Sequence, residues 1–240
     1  GGGGKYRSPP PRLLIDCGFG AARASLQHAA GIPRLIYVSH NHADHAAELP
    51  VVLAVERLRA PEAGGGRRCV IAERRVAAVL RERRLFETTA AQAYDADWIL
   101  CDEGAVVPIG GGGLALQVVG PCRHAELCFG LVLYVDHTEG GLSADRTPLF
   151  GFTGDSGFDA DLMARVSGAP VVLADARKVG TAEHASFAEI AAWRRTSGYA
   201  GRLVIYHYGA RSEAPGVGDG AGAEFEVAQP GEAVARWDVR

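Results

Sequence analysis

Five apolar runs, each ending on an acidic or imidazole side chain, restrict the architecture of this chain more than any other feature. They are "RLLIDCG" (12–18), "RLIYVSH" (34–40), "PLFGFTGDSG" (148–157), "APVVLADA" (169–176) and "GRLVIYHYG" (201–209), and they deliver Asp16, His40, Asp155, Asp175 and His207. Short apolar runs bounded by glycine and proline read as buried strands. Segments of helical spacing stand between them, so the pattern asks for an α/β fold. In such folds ligands gather outside the carboxyl ends of the strands, which gives residues far apart in sequence a shared address.

The second run leads directly into "SHNHADH" (39–45), where His40, His42, Asp44 and His45 are packed into six positions of a chain with only eight histidines. His124 in "GPCRHAELCFG" adds a fifth imidazole to the inventory. Nitrogen and carboxylate donors without thiolate favour zinc, with manganese or iron next. Five imidazoles and at least two of the carboxylates are too many for one tetrahedral ion and suit two, which together can share a hydroxide, lower its pKa towards neutrality and stabilise charge building on an attacked phosphorus or carbonyl centre. The chemistry implied is hydrolysis.

Other segments fill in the frame. Helices are expected over "FGAARASLQHAAG" before Gly31, over 47–60 and over "RRVAAVLRERRLF" (74–86), whose arginines read as a solvated face. "CVIAE" (69–73), "AVVPI", "LALQVVG" and "FGLVLYVD" read as strands, and "EFEVAQPGEAVARWDV" as a closing hairpin turning at Pro230–Gly231. No internal repeat or long linker interrupts the chain, so one domain over 1–240 is expected. Net charge is −3, from 25 basic and 28 acidic side chains, without the basic excess of most nucleic-acid binders. The five cysteines, Cys17, Cys69, Cys101, Cys122 and Cys128, form no CxxC pair and fit a reducing, cytoplasmic setting. No apolar run is long enough to span a membrane, and the start lacks a signal-like apolar region. His28 and His137 have no partners in this scheme and read as a helix-face and a hairpin-loop histidine; Cys122 and Cys128 read as packing.

"SHNHADH" resembles the HxHxDH signature of the metallo-β-lactamase superfamily, and most of the chain follows that family's order of landmarks. The resemblance implies a four-layer αββα sandwich carrying two divalent ions, zinc first. Metal one would take His40, His42 and His124, metal two Asp44, His45 and His207, with Asp155 bridging. Asp16, in "LLIDCG", would support the metal loop. Asp175, read from its place after "VVLA", is expected either to orient a ligand histidine or to serve as a helix-capping or loop residue. Within the superfamily, "EHAS" (183–186) and "HYGAR" resemble the His-Ser-Thr and terminal His-x-Ser-x-Arg segments of ribonuclease Z and its phosphodiesterase relatives. By that likeness His184 and Asp44 are the catalytic candidates, and His184 and Arg211 the substrate contacts.

Two departures shape the expected substrate. His124 and Asp155 lie only 31 positions apart, leaving no room for the long arm of tRNA-processing ribonuclease Z, and Gly209 stands where a serine is usual. A small phosphodiester such as a cyclic nucleotide is therefore expected, hydrolysed by a metal-bridging hydroxide. The alternatives are tRNA 3′-end processing, with RNA as partner, and hydrolysis of thioesters, lactones or sulfate esters. Relatives of this kind imply a homodimer.

Overall fold

The computed structural model describes residues 13–28, 31–59, 67–86, 96–109, 113–137 and 146–229, with 55–59 and 211 described in backbone only. Contacts divide the chain into two compact units, 1–100 and 101–240.

The first unit carries a four-stranded sheet in the order β1-β2-β3-β4, formed by Leu13–Ile15, Leu35–Tyr37, Cys69–Glu73 and the edge strand Asp97–Cys101. β1, β2 and β3 are parallel, with Ile15 opposite Tyr37 and Tyr37 opposite Ile71, so the carboxyl ends of β1 and β2 finish level and β3 runs two residues further. The helices are α1 (Ala21–His28), α2 (Ala43–Ala46), α3 (Leu49–Arg59) and α4 (Arg74–Val79). No acidic residue occupies the first turn of α1. Glu48 fills that role from a distance, its carboxylate accepting from the Gly20 and Ala22 N–H groups at 2.7 and 2.8 Å. α3 begins after it, with Pro50 in the first turn, where a missing N–H costs nothing.

The helix expected over 74–86 is shorter. Glu73 caps α4 by accepting from Arg75 N and Val76 N, but from Leu80 to Arg84 the backbone widens into a π-helical turn closed by Leu85 N on Leu80 O at 2.9 Å. Such turns re-aim side chains. Here Arg81 lies over the Trp98 ring at 4.4 Å and Arg84 reaches Asn41. β4 is a strand that the sequence reading did not single out, because its apolar core is only Trp98-Ile99-Leu100-Cys101.

The second unit carries a seven-stranded sheet, β11-β10-β9-β8-β7-β6-β5. Val106–Ile109, Leu114–Val119, Gly130–Asp136 and Arg146–Phe152 (β5 to β8) form an antiparallel meander. Val171–Asp175, Arg202–Tyr206 and Glu226–Val227 (β9 to β11) continue it in parallel. Tyr206 sits opposite Asp175, and Phe152 opposite Leu173. The chain therefore leaves β8, β9 and β10 at one edge. α5 (Ala160–Val166) and α6 (Phe187–Ser197) contribute Leu162, Met163, Val166, Phe187 and Ile190 to a buried cluster with Val172, Ala174, Leu203 and Ile205. Each such side chain contributes about 1.5–3 kcal/mol of burial. The expected terminal hairpin is described only as far as β11, since Pro230 and Gly231 lie outside the described residues.

Candidate metal centre

In the first unit the parallel strands place Asp16, the residue after β1, beside Val38-Ser39 leaving β2. Its backbone is held by Asp16 N on Tyr37 O at 2.8 Å, with φ at 61°, a left-handed conformation that aspartate tolerates better than most residues. The carboxylate is thereby turned onto the metal loop. Oδ1 accepts from Ser39 N at 2.7 Å, and Oδ2 accepts from Ser39 Oγ at 2.8 Å and from His45 Nδ1 at 2.7 Å. Ser39 Oγ lies 3.0 Å from His40 Nδ1. Since the hydroxyl donates to Asp16, it accepts from His40, and both His40 and His45 carry their proton on Nδ1 with the lone pair on Nε2. Carboxylate-oriented imidazoles of this kind present a fixed nitrogen to a metal.

The loop is pinned from two further sides. Cys17 N donates to His45 O at 2.7 Å and Glu48 N donates to Cys17 O at 2.9 Å. Gly18 passes so close that an added Cβ would stand 1.6 Å from Asp44 O. Opposite, Arg84 donates through Nε to Asn41 Oδ1 at 3.1 Å and through Nη2 to Asn41 O at 2.6 Å. His40 and His42 rings are 4.7 Å apart, His40 and His45 rings 4.2 Å, and Asp44 Oδ2 is 3.7 Å from His45 Nε2. Burial, reinforced by Glu48 and Asp16, pushes the Cys17 thiol up to about 12, so it stays protonated beside the cluster.

In the second unit Asp155 lies three residues past β8, Asp175 ends β9 and His207 follows β10. These two carboxylates, at 1% and 2% exposure, are buried together with the imidazoles of His184 and His207 around them. His207 Nδ1 is 3.1 Å from Asp155 Oδ2 and 3.3 Å from Asp175 Oδ1, while His184 Nδ1 is 2.8 Å from Asp175 Oδ2. Asp175 Oδ2 also accepts from Ser156 N at 3.1 Å, and Tyr206 OH donates to Asp155 Oδ1 at 3.4 Å. One potential ligand atom from each of Asp155, Asp175, His184 and His207 falls within 4.8 Å of the others. Like Asp16, His207 has a positive φ, 58°. Burial opposes charging of His207, but the hydrogen bonds and charge of Asp155 and Asp175 outweigh it and raise the imidazole to about 10. Arg177 Nη2 lies 3.4 Å from His207 Nε2, on the side of the ring away from the two carboxylates.

His124 stands in the β6–β7 connection. Arg123 N donates to Ser156 Oγ at 3.0 Å and Gly157 N donates to Arg123 O at 2.8 Å, tying that loop to the one carrying Asp155. His124 Nδ1 accepts from Glu126 N at 3.2 Å, and its ring is 5.8 Å from that of His184. Glu183, which the sequence reading did not single out, offers a donor within 4.8 Å of those of His124 and His184. Cys122 and Cys128 belong to the buried cluster, with Cys122 Sγ donating to Thr153 O at 3.1 Å. His28 closes α1 at an exposed position, and His137 Nε2 lies 2.9 Å from Thr147 Oγ1. Arg211 opens a 3-10 turn, and its side chain lies outside the described residues.

The structure thus brings His40, His42, Asp44, His45 and Asp16 together in one unit, and Asp155, Asp175, His184 and His207 in the other, with His124 beside His184. The donors are nitrogen and oxygen, and two of the imidazoles have their tautomer fixed for ligation through Nε2, so the residues fit divalent metal. Among the described residues no helix is long and apolar enough to cross a membrane.

Residues 11–208 match the family model described as a beta-lactamase superfamily domain. Among curated proteins no match reaches significance. Solved structures that are similar include the metallo-beta-lactamase fold protein YhfI from Bacillus subtilis, 16% identical with a TM-score of 0.64, covering 92% of this chain and 85% of that one. A diphosphatase from the PhnP family is 16% identical with a TM-score of 0.65, covering 92% of this chain and 78% of its own. The short form of human tRNase Z is 17% identical with a TM-score of 0.61, covering 97% and 96%. These likenesses establish the fold, α/β with two sheets and their helices, and together with the family match they make the chain a member of the beta-lactamase superfamily with the metallo-β-lactamase fold.

Proposed function

We propose that the chain is a metal-dependent phosphodiesterase of the ribonuclease Z-like branch, acting on a small phosphodiester such as a cyclic nucleotide. The observation that carries this reading is His184 held at 2.8 Å by the buried Asp175 beside Asp155 and His207. An imidazole fixed through Nδ1 keeps Nε2 as the atom that exchanges a proton, which suits delivery to the leaving oxygen of a phosphodiester. Asp175 holds that ring plane, and Ser156 N holds Asp175.

His40, His42 and His124 would hold one divalent ion, zinc first, and Asp44, His45 and His207 a second, with Asp155 shared. Such ions, when bound, activate water and stabilise charge on phosphoryl oxygens. Asp16 and Ser39 keep the lone pairs of His45 and His40 on Nε2, and Asp44 joins the catalytic group. The family match crosses residue 100, which supports a single domain over 1–240. The same reading makes the protein a cytoplasmic homodimer.

The metal-reconstituted full chain, offered cyclic mononucleotides, a bis-aryl phosphodiester, a precursor tRNA and a thioester, is expected to prefer the first two. Asp155→Ala and His42→Ala should abolish that hydrolysis with circular dichroism unchanged. Failure of the wild-type protein to cleave any phosphodiester overturns the proposal.

A further inference from the structure

Arg177 stands two residues past Asp175, where β9 leaves the sheet, and its backbone is fixed on both sides. Its N–H donates to Ala185 O at 2.8 Å and its carbonyl accepts from Phe187 N at 2.9 Å. Residues 178–184 form a loop closed by that clamp, with His184 near its far end. Thr181 N on His184 O at 2.8 Å tightens the loop from within. The two ends of the loop thereby converge on His207: the Arg177 Nη2 atom is 3.4 Å from His207 Nε2, and the His184 and His207 ring centroids are 5.4 Å apart.

The guanidinium has no acidic partner among the described residues, although two carboxylates stand close by. Asp175 is engaged by His184 and Ser156, and both Asp155 and Asp175 face His207. Arg177 Nε is buried with no hydrogen-bond partner. A desolvated cationic donor lacking an acceptor is a net cost to a fold, and a ligand that brings the acceptor removes that cost. An anionic acceptor offsets that cost most fully, and the forked guanidinium matches two oxygens of one phosphoryl group. A neutral thioester or lactone offers only an uncharged carbonyl oxygen, without the paired anionic oxygens that fit the fork.

We propose that Arg177 binds the nonbridging phosphoryl oxygens of the substrate beside His207 and so selects anionic diesters over neutral esters. This rests on the phosphodiesterase reading above and deepens it. It assigns to Arg177 the anion contact that the sequence suggested for Arg211.

The test compares metal-loaded wild-type protein with Arg177→Gln and Arg177→Lys, using inorganic phosphate binding by calorimetry and the KM and kcat for a bis-aryl phosphodiester and a neutral aryl ester. Arg177→Gln should weaken phosphate binding and raise the diester KM by about tenfold or more, as loss of a charge-assisted contact predicts. Neutral-ester turnover, metal content and melting temperature should stay unchanged. Arg177→Lys, which keeps the charge but not the fork, should fall between the two and guards against a folding defect in the glutamine variant. Unchanged phosphate affinity and diester KM in Arg177→Gln overturn the assignment while leaving the phosphodiesterase reading in place. Arg177-dependent phosphate binding by a protein that cleaves no diester sustains the assignment and overturns the reading.

Discussion

Asp16→Asn isolates the chemistry of one carboxylate from the conformation that carries it. Asparagine tolerates the left-handed backbone that Asp16 adopts at a φ of 61°, so the substitution adds no backbone strain. What changes is the donor count. If the amide nitrogen replaces Oδ1, it faces the Ser39 N–H now accepted at 2.7 Å, leaving a buried amide unpaired. If it replaces Oδ2, it faces His45 Nδ1 at 2.7 Å, and the imidazole must move its proton to Nε2. Either outcome removes at least one hydrogen bond to a charged group, about 1.5–3 kcal/mol each. Solvent screens little of this, with the Asp16 and His45 side chains only 12% and 5% exposed. The second outcome also takes the lone pair from the atom proposed to ligate metal, and loss of such a supporting carboxylate costs about 10- to 100-fold in metal affinity. Zinc titration against a competing chelator measures the affinity, and melting of the metal-free protein measures the structural part separately. Asp16→Asn protein that binds zinc as tightly as wild type would refute the tautomer argument.

Two further substitutions probe the same loop from its other sides. Gly18→Ala drives a Cβ to 1.6 Å from Asp44 O, so the loop must retreat; overpacking of this kind costs about 1–3 kcal/mol or more, and calorimetry should show a lower melting temperature together with lost metal. A variant that melts and binds metal like wild type would refute the role given to this close approach. Arg84→Gln removes the clamp on Asn41, and metal titration should give roughly tenfold weaker binding with circular dichroism unchanged; unchanged affinity would make Arg84 a bystander.

Much of the fold was legible because each informative residue follows an apolar run. Asp16, Asp175 and His207 lie within one residue of a strand's last pairing, and parallel register then brings distant runs to a common edge. The clustered donors of 40–45 were equally legible, since local sequence alone puts them on one loop. The supporting contacts were not. Arg84 reads as one of several arginines on a solvated helix face, and only the widened turn after Val79 directs it to Asn41. Arg177 follows a strand as a surface arginine would, and its burial depends on the Ala185 and Phe187 clamp. Glu183 lacks any sequence signal besides its place before His184. Ser39 did carry one, a hydroxyl between a strand end and a histidine, but its bridging role requires Asp16 from another strand.

A single carboxylate, Asp175, orients His184, faces His207 and accepts from Ser156. Groups that share a partner do not contribute additively. Evolution of this pocket towards a new leaving group therefore has little freedom to adjust the proton-transferring histidine without disturbing its neighbour. Epistasis among variants should concentrate on positions 156, 175, 184 and 207, whereas Arg177, which meets that knot only at His207, is the position where substrate preference can drift with fewest linked changes.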